Sequence, residues 1–289
     1  MPTFETPGPI TVSVDVGVGN IRVTATDRTD TVVDVAPSDA TKKGDVEAAE
    51  QTRVDYANGV LTIKAPKAWR QWMPWRGDGS VEVRVEVPAG SRVEGSAAVA
   101  ALRCSGPIGE CRFKTAAGDL DVVDGGPLDL ATSSGDVIVG RATGHVAVKT
   151  ASGSVRVDRI DGSAAVRNVN GDTWLGEVTG ELRISGANGR ITVDHTGATV
   201  VAKNANGDVR LGDVSGDVVA ETARGTVDVG VRDGVAAWLD LTTTFGNMRN
   251  DLQDAGPPTT NEGAIEVRAR TSFGDINIRR AATDRTPPR

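Results

Sequence analysis

Glycine followed by a carboxylate recurs through the middle of the chain, at Gly118-Asp119, Gly135-Asp136, Gly171-Asp172 and Gly207-Asp208. Carboxylates set in turns at a fixed interval are the kind of donor calcium takes. Nonapeptide rolls that bind the ion carry Gly-Gly-x-Gly-x-Asp, which supplies several oxygens per site. Here each turn offers a single carboxylate, and Ser154, Arg190 and Thr226 replace it after Gly153, Gly189 and Gly225. The spacing predicts structural turn aspartates and no metal.

Other chemistry is equally thin. His145 and His195 lie fifty residues apart, one to two residues from turn glycines, with no Gly-x-Ser-x-Gly nucleophile motif in the chain. Polysaccharide-cleaving β-helices need paired carboxylates, or a carboxylate with Arg or Lys, in a groove built by long loops; the turns here are short. Cys104 and Cys111 form no Cys-x-x-Cys pair. The expectation is a protein that is not an enzyme and holds no cofactor.

The elements that carry these residues follow from the glycines themselves. From Gly109 to Gly234 glycine returns at nearly every ninth position, and the second and fourth residues after it are mostly apolar, as in Val137/Val139, Val155/Val157, Leu182/Ile184, Ile191/Val193 and Val209/Leu211. Alternation over five residues is a strand with one buried face, and a strand plus a tight turn repeated without helices buries that face only by stacking on its next copy. Small or Asn residues precede every second glycine (Ala117, Ser134, Asn170, Asn188, Asn206), so one coil is eighteen residues with two strands and two turns. Glycine recurs because each corner needs a positive φ or a close approach of backbones. The predicted fold is an all-β, single-stranded parallel β-solenoid, a rod of about 40 Å if coils rise about 4.8 Å each. Asn170, Asn188 and Asn206 are placed to stack as an amide ladder.

The predicted organisation is one continuous domain: N-terminal strands and a cap over 1–94, with one short helix in 40–53, regular coils over 95–245, C-terminal cap strands over 246–280 and a disordered tail at 281–289. Cys104 and Cys111 fall at inward positions on successive strands. Two reduced core thiols are expected, with a disulfide as the alternative.

Outward positions define the candidate partner surface. On one sheet Lys114, Lys149, Arg167 and Lys203 align in a basic column beside Arg112 and Arg183. On the other, Arg156, Trp174 and Arg210 share a column ended by Asp121 and Asp228. A tryptophan projecting outward needs cover from arginine or from a partner. Trp69, Trp72 and Trp75 cluster within seven residues; they plug the open end of the solenoid or form an exposed aromatic anchor.

The chain has 289 residues, a net charge of −7 and 3% aromatic residues. An acidic total argues against a nucleic-acid partner. No basic-then-apolar leader opens the sequence and no apolar run approaches the roughly 18 residues of a membrane span, so a cytoplasmic protein without membrane insertion is expected.

The opening "PGPITVSVDVGVGNIRV", the "VEVPAGS" entry, the serial "SGDV" and "NGDV" turns and the closing "FGN" and "SFGDI" together resemble the bacterial "putative adhesin" or toast-rack domains of unknown function, over roughly residues 3 to 280. The resemblance implies a β-solenoid without established enzymatic activity, often in envelope-stress contexts, and it carries over no catalytic residue. The resulting expectation is a non-enzymatic interaction scaffold with a protein partner, linked to envelope-stress signalling, existing as a monomer or small closed oligomer. The alternative is a carbohydrate-binding or cell-surface adhesion module.

Overall fold

The computed structural model describes residues 2–65, 79–252 and 264–281. It divides into two compact units, Met1–Ser152 and Gly153–Arg289.

The first unit contains β1 (Thr3–Glu5), β2 (Thr11–Thr26), β3 (Asp30–Pro37), α1 (Lys43–Gln51), β4 (Arg53–Ala57), β5 (Val60–Lys64), β6 (Ser80–Pro88), β7 (Arg92–Pro107), β8 (Cys111–Ala117), β9 (Leu120–Gly125), β10 (Leu128–Ser134), β11 (Val137–Thr143) and β12 (Val146–Ser152). One sheet runs β4, β5, the first half of β2, the first half of β7, β8, β10 and β12. The other runs β1, β3, β6, the second halves of β2 and β7, then β9 and β11. All these pairings are parallel except β4–β5, β1–β3 and β3–β6, which are antiparallel. The first long strand is therefore an interior layer: β5 and β6, which follow it in sequence, lie outside it. Val12, Val14, Leu61, Ile63, Val83 and Val93 are buried along these rows, as their alternation with polar residues requires.

The second unit contains β13 (Val155–Asp161), β14 (Ala164–Asn170), β15 (Thr173–Val178), β16 (Leu182–Asn188), β17 (Ile191–Thr196), β18 (Val200–Asn206), β19 (Val209–Val214), β20 (Val218–Arg224), β21 (Val227–Val231), β22 (Ala237–Phe245), β23 (Met248–Asn250), β24 (Ile265–Phe273) and β25 (Ile276–Arg280). Even-numbered strands pair in the order β14, β16, β18, β20, β24, β22, and odd-numbered ones in the order β13, β15, β17, β19, β21, β25, β23, all parallel. Partners such as Ile191↔Val209 and Val200↔Val218 are eighteen residues apart, the length of one coil. The fold is the parallel β-solenoid that the glycine spacing predicts. The ending departs from the sequence order. The last coil in the chain, β24–β25, is inserted between β20–β21 and the earlier β22–β23, which becomes the outermost layer.

The corners explain the glycines. Gly207 has φ +132°, and a Cβ there would lie 2.0 Å from the Gly189 carbonyl oxygen one coil away. That oxygen also accepts a hydrogen bond from Asn204 Nδ2 at 2.7 Å. The same device recurs fourteen or fifteen residues back at other corners: Thr132 Oγ1 donates to Gly118 O, Asn168 Nδ2 to Gly153 O, Thr222 Oγ1 to Gly207 O, and each is buried or nearly so. A Thr or Asn three residues before a turn glycine thus satisfies the carbonyl of the preceding corner. Asn170, Asn188 and Asn206 do form the amide ladder, with Nδ2 to Oδ1 distances of 2.7 and 3.0 Å.

Candidate interaction surface

Outward side chains of successive coils stand in columns about 4.8 Å apart, so register decides which of them meet. In the first unit Lys114, Ala131 and Lys149 share a column. Neither lysine forms an ion pair among the described residues. Arg112, in the next column, is held by Glu110 at 2.7 Å. The hollow of about 250 Å³ on this unit, lined by Asn20, Arg22, Glu82, Arg103 and Asp121 among others, has its Arg103 already tied to Asp121 at 3.0 Å.

In the second unit Arg167, Ser185, Lys203 and Glu221 follow one another down a column. Lys203 Nζ lies 2.8 Å from Glu221 Oε2, so that lysine is neutralised within the sheet. Arg183 stands 3.7 Å from Glu181. Arg167 is the cation of this column that remains unpaired among the described residues.

The opposite sheet of the second unit carries the column Arg156, Trp174, Thr192, Arg210, Asp228. The Arg156 guanidinium sits 4.0 Å from the Trp174 ring centroid and also pairs with Asp158 at 3.0 Å. Cation and ring cover one another, which stabilises both at a half-exposed site. Gly176 makes room: a Cβ there would meet Trp174 at 3.2 Å and the Asp158 carbonyl oxygen at 2.2 Å. Arg210, two coils from Trp174 with Thr192 between, does not cover the ring and has no ion pair among the described residues. Asp228, at the end of the column, is held by Arg279 at 3.0 Å. Trp69, Trp72 and Trp75 lie outside the described residues.

A third column escaped the sequence reading. Arg159, Glu177, His195 and Asp213 are spaced eighteen apart and stack in register. Arg159 pairs with Glu177, and His195 Nδ1 lies 3.4 Å from Asp213 Oδ2, which Arg232 also holds at 2.8 Å. Partial burial pushes the Asp213 carboxyl up, but the hydrogen bonds from Arg232 and His195 and their charges outweigh it, leaving the group below the usual carboxylate range. It is ionised at neutral pH and serves as an acceptor, not as a general acid. The constant interval of eighteen was the signal that could have found this column.

Cys104 and Cys111 are both buried and free. Hydrogen bonding with Cys111, together with burial, pushes the Cys104 thiol well above its ordinary range, so it is neither a nucleophile nor a soft ligand at neutral pH. Among the described residues no group of three or more His, Cys, Asp or Glu side chains is set to hold a metal, and no helix is long and apolar enough to cross a membrane.

The model of the family described as Toastrack DUF4097 matches residues 11–280. No curated protein matches. Among solved structures, a "putative adhesin" of Bacteroides fragilis is 16% identical, with 96% of each chain covered and a TM-score of 0.35. A "putative adhesin" of Parabacteroides distasonis is 18% identical over 80% of this chain and 94% of its own, with a TM-score of 0.43. A "putative lipid binding protein" of the same species is 11% identical over 96% of this chain and 95% of its own, with a TM-score of 0.33.

Proposed function

We propose, from the premise that this chain belongs to the Toastrack DUF4097 family, that it is a non-enzymatic scaffold whose second unit holds a protein partner on the Trp174 face. The observation that carries this reading is the column Arg156, Trp174, Thr192, Arg210. An aromatic ring is held flat by one arginine, and a second arginine two coils away is left without an acid. Tryptophan and arginine fixed on a rigid sheet lose little entropy on binding, and they are the residue types that dominate interface energetics. The chemistry suits an acidic partner segment with an apolar side chain to lie against the ring. Arg167, on the other sheet of this unit, is a further cation without an ion pair among the described residues.

In this reading the scaffold works in the cytoplasm, and any link to envelope-stress signalling runs through the partner it holds. The test is affinity capture from native lysate with the wild type, Trp174→Ala and Arg210→Glu. Each substitution is expected to weaken recovery of the partner about tenfold or more, with the melting temperature unchanged by Arg210→Glu and lowered only by about 2–4 °C by Trp174→Ala, which loses the contact with Arg156. Retention on a glycan column with no protein captured would favour the adhesion or carbohydrate-binding alternative. Native protein found solely outside the cell would overturn the cytoplasmic reading.

A further inference from the structure

We propose that β22 is a dimerisation edge, pairing antiparallel with β22 of a second copy about a two-fold axis at Leu241. Among the described residues β22 has a strand neighbour on one side only, β24. Its other side presents a row of backbone donors and acceptors that a strand would satisfy. The inward row is also unfinished. Leu239 and Leu241 are half-buried, whereas Val267 and Ala269, their register partners in β24, are fully buried. Trp238, Phe245 and Met248 are exposed at 69%, 63% and 56%, and Phe245 stacks on Phe273 with centroids 5.0 Å apart and its far face uncovered by any described ring.

Among the described residues this edge lacks the usual protection. It is nine residues long, has no proline and carries one charge, Asp240, which Arg268 and Arg270 of β24 already hold at 3.2 and 3.3 Å. Its register with β24 runs without a shift. The outermost strands of the first unit are different: β4 is five residues with Arg53 and Asp55, β1 is three residues, and both pair antiparallel. Short, charged edges resist addition, and a long neutral one invites it.

The strand is self-complementary, which is why a second copy is the occupant. An added strand must turn an uncharged residue inward at every second position, and β22 does so with Ala237, Leu239, Leu241 and Thr243. Antiparallel pairing centred on a residue keeps inward rows inward, because the side-chain period is two. Leu241 is the midpoint of Ala237–Phe245, so centring there overlaps the full strand. It sets Leu241 against Leu241 of the partner subunit and Leu239 against Thr243 of the partner subunit. Asp240 then faces Thr242 of the partner subunit, whereas centring on Asp240 would oppose two like charges. A two-fold contact uses the edge of both copies and closes the assembly.

The register makes the test specific. Thr242 is exposed and stands beside Arg270 of its own chain. Thr242→Asp therefore gains a favourable neighbour in the monomer but faces Asp240 of the partner subunit twice in the dimer. Thr242→Lys has the opposite consequences. Sedimentation equilibrium of the full chain is expected to show a dimer of twice 30.0 kDa, with its dissociation constant raised about tenfold by Thr242→Asp and lowered by Thr242→Lys. Amide exchange over 237–245 is expected to slow as the protein is concentrated. A monomer up to submillimolar concentration, a dimer that both variants shift in the same direction or leave unchanged, or exchange independent of concentration would each overturn the proposal.

Discussion

At the scale of single residues, atoms that look reactive in the sequence are used for structure. Asp213 shows this with a definite sign. Its folded pKa is lowered by Arg232 and His195 against the opposing effect of burial, so its stabilisation is present above the unfolded carboxylate pKa and lost as pH falls through the folded one. Asp213→Asn is expected to lower the melting temperature at neutral pH, with the difference from wild type shrinking as pH falls below the ordinary carboxylate range, as a series of thermal melts against pH would show. The two thiols should react with a disulfide reagent only on unfolding; stoichiometric labelling of the native protein would contradict their burial. At the corners, Thr222→Val removes the donor to Gly207 O and should cost about 1 kcal/mol in urea unfolding. Gly207→Ala meets both a positive φ and the Gly189 carbonyl 2.0 Å away, and should cost at least about 2 kcal/mol.

At the scale of elements, each strand is specified twice, by its own alternation and by the layer it rests on. Leu211, buried without measurable exposure, should cost about 2–5 kcal/mol on truncation to alanine, because its row cannot collapse around the gap. The interleaved ending gives a sharper expectation. Since β24–β25 lies between β20–β21 and β22–β23, truncation before Ala264 removes an interior layer and strands the outermost one. The truncated chain should melt lower and aggregate, measured by scanning fluorimetry and size-exclusion chromatography. An ordinary terminal cap would be trimmed with little loss. The helix expected in 40–53 is present as Lys43–Gln51; its Asp45 accepts from the Ser80 backbone N–H at 2.9 Å and from that of Asp39 at 3.1 Å. No periodicity announced that role.

At the scale of the whole molecule, an acidic chain with a net charge of −7 has to hold an acidic partner through local cations. Capture through Arg210 should therefore weaken as salt is raised, and salt-independent retention would argue against the charge component of the proposed interface. Glycine every nine residues, with Val, Leu and Ile at the second and fourth positions after it, was enough by itself to determine the solenoid, the eighteen-residue coil, the amide ladder and the column holding Arg156, Trp174 and Arg210. Each of these is set by periods of two, nine and eighteen along a chain whose neighbours in space are the next copies in sequence. Tertiary structure alone decided which charges cancel, because Lys203 with Glu221 depends on rotamers and Asp240 with Arg268 on the inserted last coil. It also decided that β2 and β24–β25 are interior layers: insertion between existing layers leaves every strand's alternation unchanged, so the sequence pattern is the same whichever layer lies outermost.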